Sequence, residues 1–399
     1  MQENKVLKFD IIMFCMSEWQ DWYKKGVVNR NWHVLNQLLN KASVGKILAV
    51  DFLPYTKKRA LRSYLENQLF GVGGRIIKRY FTSQLRQIAD NFFVYSQVDS
   101  AFRKEAKVYQ KIENVLKWLG FQNLILWSYF PMFCGYFDAF DAKLKVFDAV
   151  DNWIEHPNFK NYRRRLQENY NMIDQKADLI FTVSRDLVQL FPNNKCVHWV
   201  PNGVDVEHFS STLRTLSSER EVQNLELLDI PHPIIGYAGI IQDRVDLKLI
   251  KYLAEQNPDK SVVLVGMIWP EANIELIENM KNVYLLGHKP YQELPKYIQQ
   301  FDVAIIPHKI NEFTRSMNPL KLYEYLACGK PVVTTPIAGV EKFEGLIEIV
   351  STYKEFNQGI QKMLARDNEI QRVQRVNAAK QHSWKSKVNQ MFSYINQVI

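Results

Sequence analysis

Between residues 234 and 350, short apolar runs alternate with helical patterns, and this alternation restricts the possible folds more than any other feature of the chain. Ile234 to Gly239, Val262 to Gly266, Val283 to Gly287, Val303 to Pro307, Pro331 to Thr335 and Ile347 to Val350 read as strands. Their near-continuous apolarity suits parallel strands covered on both faces, because a half-solvated strand would alternate with polar residues. Asp246 to Ala254, Ala272 to Met280, Tyr291 to Phe301 and Pro319 to Ala327 read as the intervening helices. The pattern predicts a doubly wound α/β domain.

The first half repeats the theme less cleanly. Its strands are expected at Ile11 to Met16, Ile47 to Phe52, Phe92 to Tyr95, Leu124 to Trp127, Lys145 to Val150 and Leu179 to Val183, with helices near Trp32 to Leu39 and Ala106 to Leu119. Residues 57–87 break the rhythm, and their basic, apolar character predicts a helical excursion rather than sheet. A chain of 399 residues exceeds what one core usually organises, so two domains follow. Trp199-Val-Pro-Asn-Gly-Val-Asp205 closes a strand with a turn, and the polar stretch Ser210 to Glu226 comes next. The expected division is 1–204, with 57–87 as a basic insertion, then 205–367, then a polar helical segment 368–399 that returns to the first domain.

No apolar run approaches the roughly 20 residues that span a bilayer, and no export signal opens the sequence, so a cytoplasmic protein is expected. Cys15, Cys134, Cys196 and Cys328 are scattered without metal-ligand spacing. The formal charge of +9 is concentrated: Lys57, Lys58, Arg59, Arg62, Arg75, Lys78, Arg79 and Arg86 stand against the single acid Glu66. Leu61, Tyr64, Leu65, Phe70, Tyr80 and Phe81 interleave with them. Such a surface suits anionic lipid headgroups, with solvated helices and snorkelling cations as the alternative. No recognition motif accompanies the charge, so nucleic acid is not an expected partner.

Asn318-Pro-Leu-Lys-Leu-Tyr-Glu-Tyr-Leu-Ala-Cys-Gly329 carries helix punctuation: Asn318 as N-cap, Pro319 at the first helical position, Gly329 as the left-handed terminator. The helix follows the strand Val303 to Pro307, so its N-terminus lies at the carboxyl edge of the sheet, where open α/β sheets bind ligands. Free N–H groups and the positive end of the dipole favour a diphosphate there. Lys321 and Glu324 share one helix face, giving a cation for phosphates and, one turn deeper, a carboxylate for ribose hydroxyls.

The segment Asn318 to Pro336, NPLKLYEYLACGKPVVTTP, resembles the donor-site signature of GT-B glycosyltransferases, especially the retaining family 4. IIGYAGII at 234–241, NVYLLG at 282–287, Asp302 to Pro307 and Pro201-Asn-Gly-Val-Asp205 match further landmarks in order. The resemblance covers the second half and the first only loosely. It implies two Rossmann-like doubly wound domains with a deep cleft between them, and a nucleoside diphosphate sugar as donor. Glu324 matches the glutamate that holds the ribose. The family's other glutamate, eight positions earlier, is replaced by Ser316, so sugar recognition is expected to use Asn311, Thr314, Ser316 or the backbone near Met317. Gly239 opens the loop where the family places diphosphate-binding cations, and Arg244 is the cation there. Lys321 supplies a second charge, Pro319 and Leu320 open the helix, and His308 leads into the donor loop. No metal or cofactor is expected.

In the first domain, the loop after the opening strand carries Trp19 and Arg30, which the resemblance makes candidates for the acceptor. Asp148 and Asp151 end another strand, and Asp151, beyond the predicted strand, is the candidate to orient or deprotonate the acceptor hydroxyl. Packing and strand-end capping are the plain alternatives for these three. The resulting expectation is transfer of a sugar to a glycan or lipid-linked acceptor in cell-surface polysaccharide synthesis. A sugar-nucleotide epimerase on the same fold, or an inactive sugar-nucleotide-binding scaffold, are the rival readings.

Overall fold

The computed structural model describes residues 8–69, 73–215 and 229–399; Phe70 and most of the expected polar linker lie outside them. Two compact units are present: Met1–Val200 with Val388–Ile399, and Pro201–Lys387. The division thus falls at Val200/Pro201 rather than at 204/205. Residues 368–387 belong to the second unit, and only the last twelve residues group with the first. The physical reason lies in Arg375, 1% exposed on the Glu369–Lys380 helix. Its Nε donates to the Gly329 carbonyl at 2.9 Å, and its guanidinium pairs with Asp367.

In the first unit, β1 (Phe9–Phe14), β2 (Val44–Val50), β3 (Arg75–Arg79), β4 (Ser83–Ala89), β5 (Phe92–Gln97), β6 (Leu124–Ser128), β7 (Leu144–Ala149), β8 (Leu179–Thr182) and β9 (Val197–Trp199) form one sheet. Their order is β3-β4-β5-β2-β1-β6-β7-β8-β9. From β5 to β9 neighbours pair in parallel, whereas β4 pairs antiparallel with both β3 and β5. The expectation of a wholly helical 57–87 is therefore half right. Lys57–Leu69 is a helix, but the following residues extend the sheet as a hairpin. Gly73 and Gly74, at φ +71° and +70°, turn the chain into it.

The second sheet contains β10 (Ile234–Ala238), β11 (Ser261–Val265), β12 (Val283–Gly287), β13 (Val303–Ile306), β14 (Val332–Thr334) and β15 (Glu348–Ile349), ordered β12-β11-β10-β13-β14-β15. All of its pairings are parallel. Ile235, Leu264 and Ile305 are fully buried in its core, each contributing about 1.5–3 kcal/mol of apolar burial. The expected helix Ala272 to Met280 is reduced to a single 3₁₀ turn, Ile274–Leu276, because Ile277 and its apolar neighbours reach the core from successive turns instead. The strand order reverses between β10 and β13, creating the topological switch point at which such sheets bind ligands.

Candidate active site

The loops leaving β10 and β13 meet at this switch point and are stitched together by main-chain bonds. Lys309 N donates to Arg244 O and Asp246 N to Pro307 O, both at 2.8 Å, and Val245 bridges His308. Beyond them, the Leu320–Ala327 helix is pinned to the end of β10 by Tyr325. Its hydroxyl accepts from Ala238 N at 2.7 Å and lies 3.3 Å from the Ala238 carbonyl. This anchor was not read from the sequence, where Tyr325 is indistinguishable from a core aromatic.

The helix does not begin as expected. Pro319, not Asn318, occupies the N-cap, and no side chain caps the first turn. Asn318 is spent elsewhere: its Oδ1 accepts from Asn202 N at 2.8 Å and from the Tyr323 hydroxyl at 3.1 Å. Its carbonyl accepts from Asn202 Nδ2 at 2.6 Å, and its own amide donates to Ala338 O at 3.2 Å. The motif Pro201-Asn-Gly is thus tied to the start of the helix, and the uncapped N–H groups of Leu320 and Lys321 stay available to an anion. Gly329 terminates the helix at φ +71°, as its sequence position predicts.

Lys321 is 8% exposed. Its Nζ lies 5.2 Å from the centre of the Tyr237 ring, and Gly239, at φ +144°, leaves room for its stem. Among the described residues Lys321 forms no ion pair. Burial, aided by the neighbouring Arg244, pushes its ammonium down to about 7, against the pull of Glu324. Glu324 is half-buried, and desolvation raises its carboxyl to about 7 against the pull of Lys321. Arg244 is half-buried; the Gln242 amide oxygen, in the orientation that satisfies both groups, accepts from its Nε at 2.9 Å and its Nη2 at 2.7 Å. His308 is 1% exposed, its ring held uncharged by burial and by the cations Lys321 and Arg244.

The loop from Lys309 to Met317, the candidate donor loop, is more self-contained than expected. Asn311 and Thr314 form a reciprocal capping box on the short Glu312–Arg315 helix, with the Thr314 hydroxyl also donating to Lys309 O. Ser316 is 4% exposed and its hydroxyl donates to Phe313 O at 2.9 Å, while Met317 is 6% exposed. The Ser316 and Thr314 side chains are thus consumed locally. Gly239, Arg244, His308, Lys321 and Glu324 are the predicted residues that converge.

In the first unit the candidates go to separate partners at the carboxyl edge of the sheet. Arg30, 2% exposed, places its Nε 2.9 Å from both carboxylate oxygens of the fully buried Asp148. Half-buried Trp19 packs edge-on against Trp22 and Phe92, and its main-chain N–H donates to Asp51 Oδ1 at 2.7 Å. Asp151 is half-buried just past β7, its carbonyl accepting from the Tyr170 hydroxyl at 3.0 Å. The sequence reading missed Asp51, whose Oδ2 accepts from Ser96 at 2.7 Å. Burial and the nearby Glu18 raise its carboxyl to about 7. Glu18 in turn meets Arg59 Nη2 at 2.8 Å and the Ser63 hydroxyl at 2.7 Å. The signal was present: Asp51 immediately follows a strand, as Asp151 nearly does.

Two largely parallel sheets, the second with two cations, a carboxylate and an uncapped helix N-terminus at its switch point, share the fold of GT-B glycosyltransferase structures. Residues 233–366 match the family model described as Glycosyl transferases group 1, so the second unit carries a group 1 glycosyltransferase domain. TuaH of Bacillus subtilis (strain 168), provisionally named a teichuronic acid biosynthesis glycosyltransferase, is 28% identical over 295 residues, 68% of this chain and 72% of its own. The fold recurs in the α,α-trehalose 6-phosphate synthase of Burkholderia multivorans, with TM-score 0.66 and 9% identity over 98% of this chain and 97% of the other. It recurs also in HepE of Anabaena, solved with UDP and glucose, with TM-score 0.63 and 14% identity over 98% and 100%.

Proposed function

We propose that this glycosyltransferase moves a sugar, with retention, from a nucleoside diphosphate sugar to a hydroxyl of a glycan or lipid-linked saccharide in cell-surface polysaccharide synthesis. The observation that carries the reading is Lys321: a buried ammonium with no ion pair among the described residues, beside Arg244 and an uncapped helix start. A buried cation without a counterion is costly unless a ligand supplies the charge. When the bond between the anomeric carbon and the phosphate oxygen breaks, the leaving diphosphate takes the electron pair. Lys321, Arg244 and the helix N–H groups stabilise that charge, a role that takes no metal in this reading. Glu324, one turn deeper, accepts hydrogen bonds from the ribose diol. Asp151 is the proposed group to orient the acceptor hydroxyl. With Ser316 and Thr314 occupied by main chain, sugar contacts fall to the backbone near Met317. Retention is supported by the shared fold with trehalose-6-phosphate synthase, an enzyme of glycosyl transfer with retention. The polysaccharide context is supported by the name of the Bacillus relative.

The test is incubation with labelled UDP-, GDP-, ADP- and TDP-sugars and saccharide acceptors, starting with UDP, the nucleotide present in the HepE structure. Transfer to acceptor is expected. Epimerised nucleotide without transfer, or binding without turnover across a broad acceptor panel, would replace the reading with one of its rivals.

A cytoplasmic protein resting on an anionic membrane is the second part of the proposal, favoured by one surface of the first unit. Leu61, Leu65, Tyr80 and Phe81 are 60%, 46%, 51% and 85% exposed, and the Tyr64 and Phe81 rings, 6.2 Å apart, link the Lys57–Leu69 helix to the hairpin. Exposed Lys57, Lys58, Arg62, Arg75 and Arg79 surround them. Two expected members of this patch belong elsewhere: Arg59 holds Glu18, and Arg86 is 5% exposed. Among the described residues no helix is long and apolar enough to cross a membrane. Flotation with phosphatidylglycerol vesicles should capture the wild type and release a K57E/K58E/F81S variant. Equal recovery with neutral phosphatidylcholine would remove the anionic surface from the proposal.

A further inference from the structure

We propose that His308 is a phosphate-reading group, an imidazole that donates one ring N–H to the distal, leaving phosphate of the nucleoside diphosphate. The inference rests on the donor reading above and deepens it. His308 is 1% exposed, yet among the described residues neither Nδ1 nor Nε2 has a hydrogen-bond partner. A buried polar group left unpaired costs about 1–3 kcal/mol, and a phenyl ring would fill such a place without that cost. The main chain that carries the ring is held in place, since the residue lies two positions beyond β13 at the switch point and bridges Val245.

The charged groups around it narrow the chemistry of the missing partner. Lys321 faces it from the Leu320–Ala327 helix and Arg244 from the loop after β10. The acids of that loop are engaged: Asp243 Oδ1 lies 2.9 Å from Lys309 Nζ. Asp246 accepts from the Tyr353 hydroxyl at 2.8 Å and caps the Leu247–Gln256 helix. Among the described residues the charged groups that act on the imidazole are the cations Lys321 and Arg244, so the partner that suits it is an anion entering from outside. A third cation would raise the repulsion in the empty site. A neutral ring adds a directed donor without adding charge, and burial between two cations keeps it neutral.

The experiment uses the full chain and whichever of UDP, GDP, ADP or TDP binds the wild type by calorimetry, together with the matching monophosphate, which lacks the distal phosphate. His308→Phe should weaken the diphosphate about tenfold or more, the scale of one hydrogen bond to a charged group, and leave the monophosphate unchanged. His308→Gln, which keeps an N–H donor of similar reach, should recover part of the loss. Long-range proton–nitrogen spectra of the wild type should show one His308 nitrogen shift as the diphosphate is added. Diphosphate affinity unchanged in His308→Phe, or diphosphate and monophosphate affinities falling together, would overturn the assignment. If the wild type binds and Glu324→Ala weakens binding while His308→Phe does not, the His308 assignment alone falls. If the wild type binds none of the four diphosphates, the donor reading falls with it.

Discussion

The carboxyl edges of the two sheets handle buried charge in opposite ways. In the first unit Asp148 is met by Arg30, and Glu18 by Arg59. Asp51 accepts three hydrogen bonds, from Trp19 N, Phe52 N and Ser96. In the second unit Lys321 has no ion pair among the described residues, and the His308 nitrogens have no partner. Charges that satisfy one another hold a scaffold, whereas charges left unsatisfied hold a place for something absent. On the proposed reading, the difference separates residues that build the protein from residues that bind its substrate, although both sets lie at the same kind of edge.

The largest effect should come from breaking the paired side. Asp148→Ala strands the Arg30 guanidinium in the core of the first unit, and loss of one partner of a buried pair costs about 3–5 kcal/mol. Urea unfolding that tracks the first unit should show this, and a loss below about 1 kcal/mol, the range of an exposed pair, would erase the contrast. On the unpaired side, Glu324→Ala and Lys321→Met should each lower nucleoside diphosphate affinity about 10–100-fold by calorimetry, the size of a hydrogen bond to a charged group. The fold should survive both. Unchanged affinity in Glu324→Ala would sink the ribose assignment.

A smaller effect concerns pH. With its folded pKa depressed to about 7, the Lys321 ammonium is charged in both states below pH 7, so its desolvation penalty is fully present there. The penalty fades as pH rises through the window from about 7 to the ordinary 10.5. Lys321→Met should therefore raise the second unit's melting temperature at pH 6 and lose that advantage by pH 10.5; a lower melting temperature at pH 6 would show that Lys321 is internally paired after all. Smallest of all, Asp51→Asn should stabilise the first unit slightly at pH 8, where the wild-type carboxylate is ionised above its raised pKa of about 7, and not below the ordinary 3.8. Destabilisation at pH 8 would mean that the three hydrogen bonds outweigh burial.

The second unit was legible because its strands are apolar throughout and its Leu320–Ala327 helix is punctuated by Pro319 and Gly329. That Lys321 and Glu324 share one helix was legible from their spacing. What was not legible was expenditure: Ser316, Thr314 and Asn318 are polar residues in the right loop, yet their side chains are occupied by neighbours that the sequence cannot place. The hairpin of β3 and β4 escaped for a related reason. Arg75, Lys78, Arg79 and Arg86 mask a strand pattern on an edge where only some side chains are covered. Arg30 and Asp148, far apart in sequence, could be paired only by the fold.

Gly239 bears on how this site can be traced through other chains. A methyl group at that position would stand 2.9 Å from Lys321 Cε and 3.3 Å from its Nζ, so the absent side chain and the present lysine occupy one volume. A chain with a side chain at 239 must carry its cation differently, and a chain without the lysine no longer needs the glycine for this purpose. The two positions should therefore vary as a pair, and finding both intact marks the site more narrowly than either residue alone.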